Sequence, residues 1–183
     1  MKLSSVRTAQ AHDVASVRTV LQARGGALSQ VADACSSSEQ SLLHRLETTL
    51  RDFPFLLAFD DERCVGLAYA RPHCAGAYRW SVDVALQVDA QATPGTAERL
   101  YRQLLRDLAA QGYLAGYALV APSDAQSVAL HQSLGFVRIG AHQCIDLHQD
   151  TDCWCVSLGD SHPLAEPVSF QVLQQSRQGL VAG

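Results

Sequence analysis

Three short stretches carry side chains whose type and spacing suit chemistry. In "SVDV", Asp83 belongs to a run in which Trp80, Val82, Val84, Leu86 and Val88 alternate with Ser81, Asp83, Ala85 and Gln87. Such alternation makes one strand face solidly apolar and leaves Asp83 as a lone charge on the other. A carboxylate with apolar neighbours is partly desolvated, which strengthens it as a base for an ammonium proton, directly or through water. The competing reading is a structural carboxylate bonded to a neighbouring loop or to Arg79. In "LHQSLGF", His131 can give or take a proton near neutral pH; a lone helical histidine is otherwise a packing residue. In "DAQATPGTAERLYRQLL", Asp89 to Leu105, a loop containing Gly95 runs into a helix. The unpaired N–H groups and partial positive charge of a helix start suit a phosphate.

A fourth cluster is weaker. His142, Cys144, His148, Cys153 and Cys155 crowd together, but their pairs sit at i and i+2, without the wider cysteine spacing of zinc knuckles. No metal site is expected, and most of the six cysteines read as reduced thiols in a chain large enough to need no staples.

The elements that must position these residues follow from periodicity and caps. The chain has 183 residues, 48% of them hydrophobic, and a formal net charge of -4, enough for one domain with a sizeable core. "SVRTA" reads as a strand, and "HDVASVRTVLQARGG" as a helix capped by Asp13 and stopped by Gly25-Gly26. A second helix starts at a Ser36–Glu39 capping box and ends at Pro54. A hairpin, "FPFLLAF" and "CVGLAYA", and then the Asp83 strand come next. The loop-helix ends at Gly112, "YLAGYALV" is a strand covered on both faces, and a helix with a Ser123–Gln126 capping box ends at Gly135. "FVRIGAHQCIDL" and "CWCVSL" are two more strands about the turn "HQDTD". This order implies an α/β (α+β) domain over 1–158, a mixed, mostly antiparallel sheet with helices on both faces, followed by an extended tail over 159–183.

Composition excludes two classes of partner. The 14 Lys and Arg are spread thinly, unlike a nucleic-acid groove. No apolar run approaches the roughly 20 residues that span a bilayer, and the start lacks a signal peptide's apolar centre, so a cytoplasmic protein with no membrane partner is expected.

In their order and spacing, "YRWSVDV", "LAAQGY" and "SVALHQSLGF" resemble the core of the phosphinothricin acetyltransferase branch of the GNAT superfamily of acetyl-CoA-dependent N-acetyltransferases. The likeness runs from Ala77 to Phe136, with weaker similarity at both ends. It implies the GNAT fold, with about seven strands, and direct transfer of acetyl from acetyl-CoA to the primary amine of a small, amino-acid-like molecule, in a possible homodimer. Asp83 stands at the branch's general-base Glu, and His131 at the histidine that protonates the leaving thiolate or meets substrate. Backbone groups at Leu86, Gln87 and Val88 match the site of the thioester oxygen, and Gly95, Thr96 and Ala97 the pyrophosphate loop. Ser123 stands where the family has a CoA-facing Asn. Arg71, His73 and Arg79 are the groups left to meet an acceptor carboxylate, and Arg79 is the best candidate for a two-bond grip.

The loop departs from the family pattern. Ala92 replaces the leading Arg or Gln, Pro94 lacks an N–H, and Glu98 adds a negative charge. Losing a charge-assisted hydrogen bond removes about 1.5 to 3 kcal/mol. A non-catalytic GNAT-fold module with weakened or lost acetyl-CoA binding is therefore the alternative reading.

Overall fold

In the computed structural model, described over residues 4–23, 38–74, 79–144, 149–159 and 165–181, the alternating patterns become strands of a single sheet. In chain order the elements are β1 (Ser5–Thr8), a 3-10 turn (Ala11–Asp13), α1 (Val14–Ala23), α2 (Glu39–Asp52), β2 (Phe55–Asp60), β3 (Arg63–Pro72) and β4 (Ser81–Val88). Then follow α3 (Thr96–Gln111), β5 (Ala115–Val120), α4 (Ala125–Ser133), β6 (Val137–Cys144), β7 (Gln149–Ser157) and α5 (Phe170–Val181). The sheet has seven strands in the order β1-β2-β3-β4-β5-β7-β6. Only β4 and β5 run parallel; the other neighbours are antiparallel.

Strand alternation sends side chains to two separate cores. Leu56, Ala68, Ala70, Val82 and Val84 pack with Leu100, Tyr101, Leu104 and Leu108 of α3. Phe55, Leu57 and Leu67 pack with Val17, Val20 and Leu21 of α1 and with Leu42 and Leu46 of α2. Helices therefore cover both faces, as the element order implies.

Several boundaries differ from the sequence reading. Asp13 is not the cap of α1: its carboxylate accepts the Gln10 N–H at 2.8 Å, closing a capping box around the 3-10 turn, and takes two bonds from Arg7 at 2.7 Å. The cap of α2 is Ser38, which accepts the Ser41 N–H, while Ser36 and Gly25-Gly26 fall outside the described residues. Asp124, not Ser123, caps α4 by accepting the Ser127 N–H at 2.9 Å. Gly112 and Gly135, with φ of 97° and 85°, end α3 and α4 in the left-handed conformation that favours glycine. "HQDTD" is more strand than turn, because β7 begins at Gln149 and Arg138 of β6 grips Asp152 across the pair at 2.7 Å.

The segment expected to trail as an extended tail carries α5, docked on α2 and α3. Phe170 is 1% exposed. Gln111 O accepts the Val168 N–H at 2.8 Å, the Gln111 side-chain amide donates to Val168 O at 2.8 Å, and Arg177 reaches Asp107 at 2.8 Å. One aromatic and a set of polar contacts hold this helix, so no sustained apolar period marks it in the sequence.

Candidate active site

The place where β4 and β5 part is set by their pairing. Bridges join Ser81, Val82 and Asp83 to Ala115, Gly116 and Tyr117, and none joins the rest of β4 to β5. Asp89 donates to Val65 O at 2.8 Å and His73 donates to Ser81 O at 3.3 Å, so the odd-numbered residues of β4 turn their backbone groups toward β3. Even-numbered residues then face β5. The N–H groups of Leu86 and Val88 consequently point into the gap that opens past Asp83. Gln87 does not share that direction: its N–H faces β3, and its amide donates to Val20 O at 2.7 Å at the end of α1. Of the three residues expected to hold the thioester, Leu86 and Val88 turn their N–H groups to the gap and Gln87 does not.

Asp83 sits at the mouth of this gap, 24% exposed, and has three bonds in hand. Its Oδ2 accepts Arg71 Nε and Nη2 at 3.2 and 3.0 Å, and its Oδ1 lies 2.6 Å from His73 Nδ1. Register explains the assembly: Arg71, Asp83 and Tyr117 stand opposite one another on β3, β4 and β5. Beyond the end of β3 the His73 ring folds back onto Tyr117, with centroids 4.3 Å apart and planes 18° from parallel. Burial pushes the Tyr117 phenol and the nearby Cys153 and Cys155 thiols above their ordinary pKa values, so these neighbours stay neutral at physiological pH.

Arg79 is not part of the cluster. Its guanidinium lies over the Trp80 ring at 3.7 Å and pairs with Glu166 at 2.6 Å, beside the segment that leads into α5. Of the three basic residues named from the sequence, Arg71 and His73 are the ones placed beside Asp83.

The loop before α3 is a tight turn. Thr96 N–H bonds Thr93 O at 3.1 Å across Pro94 and Gly95, and Gly95 has φ 86° and ψ −4°. This is a type II turn, which wants proline first and glycine second. A Cβ built on Gly95 meets nothing within 4 Å, so the glycine serves conformation and leaves open space above it. Thr96 is turned inward, 2% exposed, with its hydroxyl on Thr93 O at 2.6 Å and 2.5 Å from Ser4 Oγ. It closes the turn and has neither N–H nor hydroxyl directed at a ligand. Thr93 N–H is likewise taken, by Asp60 Oδ2 at 2.9 Å, and Asp60 Oδ1 accepts the Ser4 hydroxyl at 2.5 Å. These two bonds, Ser4's the stronger influence, hold the Asp60 carboxyl below its ordinary pKa. Among the described residues, the N–H groups of Gly95, Ala97 and Glu98 make no hydrogen bond, and Glu98 pairs with Arg102 at 2.8 Å.

His131 lies on the opposite side of the sheet from the Asp83 cluster, 4% exposed. Its Nδ1 donates to Ser127 O at 2.7 Å, so Nε2 carries the lone pair and accepts Tyr101 O–H at 3.1 Å. Phe136 and Tyr101 pack edge-on to the ring, and burial pushes its pKa below the ordinary histidine value. This is the packed-helix arrangement, and it does not bring His131 together with Asp83. Ser123 is exposed in the turn before α4.

With this geometry in place, relatives can be compared. Residues 6–149 match the family model for the acetyltransferase (GNAT) domain. The chain belongs to the GNAT acetyltransferase family. A phosphinothricin N-acetyltransferase of Streptomyces viridochromogenes is 32% identical over 103 residues, which are 55% of this chain and 56% of that protein, so the match spans about half the relative's length. A GNAT phosphinothricin acetyltransferase of Sinorhizobium meliloti, solved in complex with acetyl-CoA, superposes with a TM-score of 0.74 at 25% identity, covering 91% of this chain and 94% of its own. The Salmonella typhimurium yncA structure, with its cofactor acetyl-CoA, gives a TM-score of 0.77 at 18% identity, covering 90% and 99%.

Three features of this GNAT chain escaped the sequence reading. The contact of His73 with Asp83 needs the β3–β4 register to be seen. The Ser4–Asp60 support under the loop joins positions far apart in the chain. Arg99, exposed in the first turn of α3, has no ion pair among the described residues, whereas Arg63 and Arg102 are held by Asp89 and Glu98; a reading confined to the loop's leading position passes over a cation one turn later. Among the described residues no cluster of three His, Cys, Asp or Glu side chains has metal-binding geometry, with His148 and the side chains of His142 and Cys144 outside them. No described helix is long and apolar enough to cross a membrane.

Proposed function

We propose that the protein transfers the acetyl group of acetyl-CoA directly to the primary amine of a small, amino-acid-like molecule. The observation that carries this reading is the gap between β4 and β5, with Leu86 and Val88 N–H groups directed into it and a carboxylate, an imidazole and a guanidinium gathered at its mouth. A backbone N–H directed into this gap suits the oxygen of a thioester as negative charge grows on it during attack. The diphosphate rests on the N–H groups of Gly95, Ala97 and Glu98 at the start of α3, a contribution that needs no side-chain cation. Arg71 keeps N–H donors beyond those it gives Asp83, enough to hold an acceptor's carboxylate. The Asp83 cluster takes the ammonium proton. His131, enclosed with Tyr101 on the far face, packs α4 against α3 in this reading and takes no part in proton transfer.

Thermal denaturation with acetyl-CoA tests the reading. A ligand held by the native state at 100 times its Kd stabilises by about 2.7 kcal/mol, so millimolar acetyl-CoA raises the melting temperature by several degrees. No rise would favour the alternative, a GNAT-fold module without acetyl-CoA binding, for which the Asp60 carboxylate on Thr93 N–H and the missing leading cation are the supporting observations.

A further inference from the structure

We propose that Asp60, at the end of β2, is a positioning residue for the coenzyme: it holds the loop before α3 in the shape that leaves the Gly95, Ala97 and Glu98 N–H groups available to the diphosphate. The inference rests on the acetyltransferase reading above and deepens it, because the stretch from Asp89 to Glu98 contains no cation and its backbone shape must do the binding. Most of the loop's donors are fixed internally. Gln91 N–H goes to Asp89 Oδ1 at 2.8 Å, Ala92 N–H to Asp89 O at 3.0 Å, Thr93 N–H to Asp60 Oδ2 at 2.9 Å and Thr96 N–H to Thr93 O at 3.1 Å. Pro94 has no N–H to place. Gly95 is the exception, with open space above it. Of the groups that accept these donors, Asp60 is the one outside the loop's own stretch of chain.

Asp60 works as one member of a ring. Its Oδ1 accepts the Ser4 hydroxyl at 2.5 Å, Ser4 Oγ lies 2.5 Å from Thr96 Oγ1, and the Thr96 hydroxyl reaches Thr93 O at 2.6 Å. Thr93 and Thr96 are the two ends of the Pro94–Gly95 turn, so the ring grips both and ties them to β2 and to the residue ahead of β1. Ser4 and Thr96 are each 2% exposed, which makes an unpaired partner there costly. A side chain with two acceptor oxygens suits the place, because an N–H and an O–H both arrive as donors. Asparagine suits it too: its oxygen takes the Thr93 N–H, its amide gives a proton to Ser4, and the Ser4 proton then serves Thr96. Alanine instead strands both donors and opens the ring. The carboxylate's negative charge acts against a nearby phosphate, so geometry and charge pull in opposite directions, and asparagine separates them.

Isothermal titration of the full chain with acetyl-CoA, well below the melting temperature, tests this without knowledge of the acceptor. D60A is expected to raise the Kd about tenfold, the scale of losing hydrogen bonds to a charged group. D60N, with the ring closed, stays within about threefold of wild type. D13A controls for destabilisation in general: it removes a carboxylate with bonds to Arg7 and Gln10 at the start of α1, and should lower the melting temperature while leaving the Kd unchanged. T96V cuts the ring at another member without altering charge and should move the Kd in the same direction as D60A; it decides the matter if D60A does not fold. A D60A Kd equal to that of wild type overturns the proposal. A tighter one does so as well, because the carboxylate would then compete with the coenzyme for the loop. An equal weakening by D13A also overturns it, since the effect would not belong to the loop. If the wild-type protein binds no acetyl-CoA at millimolar concentration, the acetyltransferase reading falls and this proposal with it, whereas equal Kd values remove the role of Asp60 alone.

Discussion

His131 and His73 are histidines of one chain with opposite surroundings, and what each can do follows from its partners. His73 is bound to a carboxylate at the edge of a gap, whereas His131 is shut between Tyr101, Phe136 and a helix carbonyl. For His131 the physical consequence is a pH-dependent stability. Burial depresses its pKa in the folded protein, so the native state stays neutral while the unfolded chain takes up a proton near the ordinary value of about 6.5. As pH falls through that value the unfolded state binds the extra proton and stability declines, until pH reaches the lower folded pKa. At higher pH neither state is protonated and the penalty vanishes. Urea denaturation of wild type and H131Q at several pH values between 5 and 8 is expected to show a steeper loss on acidification for wild type, by at most about 1.4 kcal/mol per pH unit. Parallel curves would mean that the buried imidazole charges in place.

At the scale of elements, the proposed function gives the start of α3 the task of holding the coenzyme. Its turn spends Thr93 and Thr96 N–H internally and leaves three backbone donors. Arg99, in the same first turn and without an ion pair among the described residues, is the cation that the proposed function would set against the diphosphate in place of the one absent at Ala92. R99A is expected to raise the acetyl-CoA KM about tenfold, the equivalent of about 1.4 kcal/mol, with kcat little changed. R102A, which removes a side chain already committed to Glu98, should do less. Steady-state kinetics at two salt concentrations checks this, and an R99A KM equal to wild type would leave the phosphate contact to the backbone. The order of strands and the first four helices was legible in the sequence because each carries its own apolar period or stop residue, Gly112 and Gly135 among them. Cap positions were not, since "CSSS" and "PSD" place equivalent hydroxyls and carboxylates side by side, and only the helix geometry chooses Ser38 and Asp124. In the site, Asp83 and the Leu86–Val88 strand end were legible from alternation and resemblance. The partners of Asp83 were not, because cross-strand register sets them: Arg71 faces it only through the β3–β4 pairing.

Over the whole molecule, α5 ties the two ends of the fold to the approach to the site. Phe170 seals against the body of the domain, Gln174 reaches Thr8 of β1 at 3.3 Å, and Arg177 neutralises the buried Asp107 of α3. Just before the helix, Ala165 O accepts Trp80 Nε1 at 3.1 Å and Glu166 holds Arg79, the two residues that lead into β4. A segment with these contacts belongs to the same cooperative unit as the sheet rather than trailing from it. Truncating a buried phenylalanine costs about 3 to 5 kcal/mol, a large share of the 5 to 15 kcal/mol that stabilises a typical domain. F170A is therefore expected to lower the unfolding free energy of a single urea transition by that amount, while V172A, at an exposed position on the same helix, stays within about 0.5 kcal/mol of wild type. If α5 were instead a separate, weakly docked piece, F170A would release it without moving the main transition, and tryptophan fluorescence would report an early change confined to Trp80. Coincident fluorescence and far-ultraviolet circular dichroism curves distinguish the two cases, because a shared transition requires that the contacts at Trp80, Asp107 and Thr8 break together.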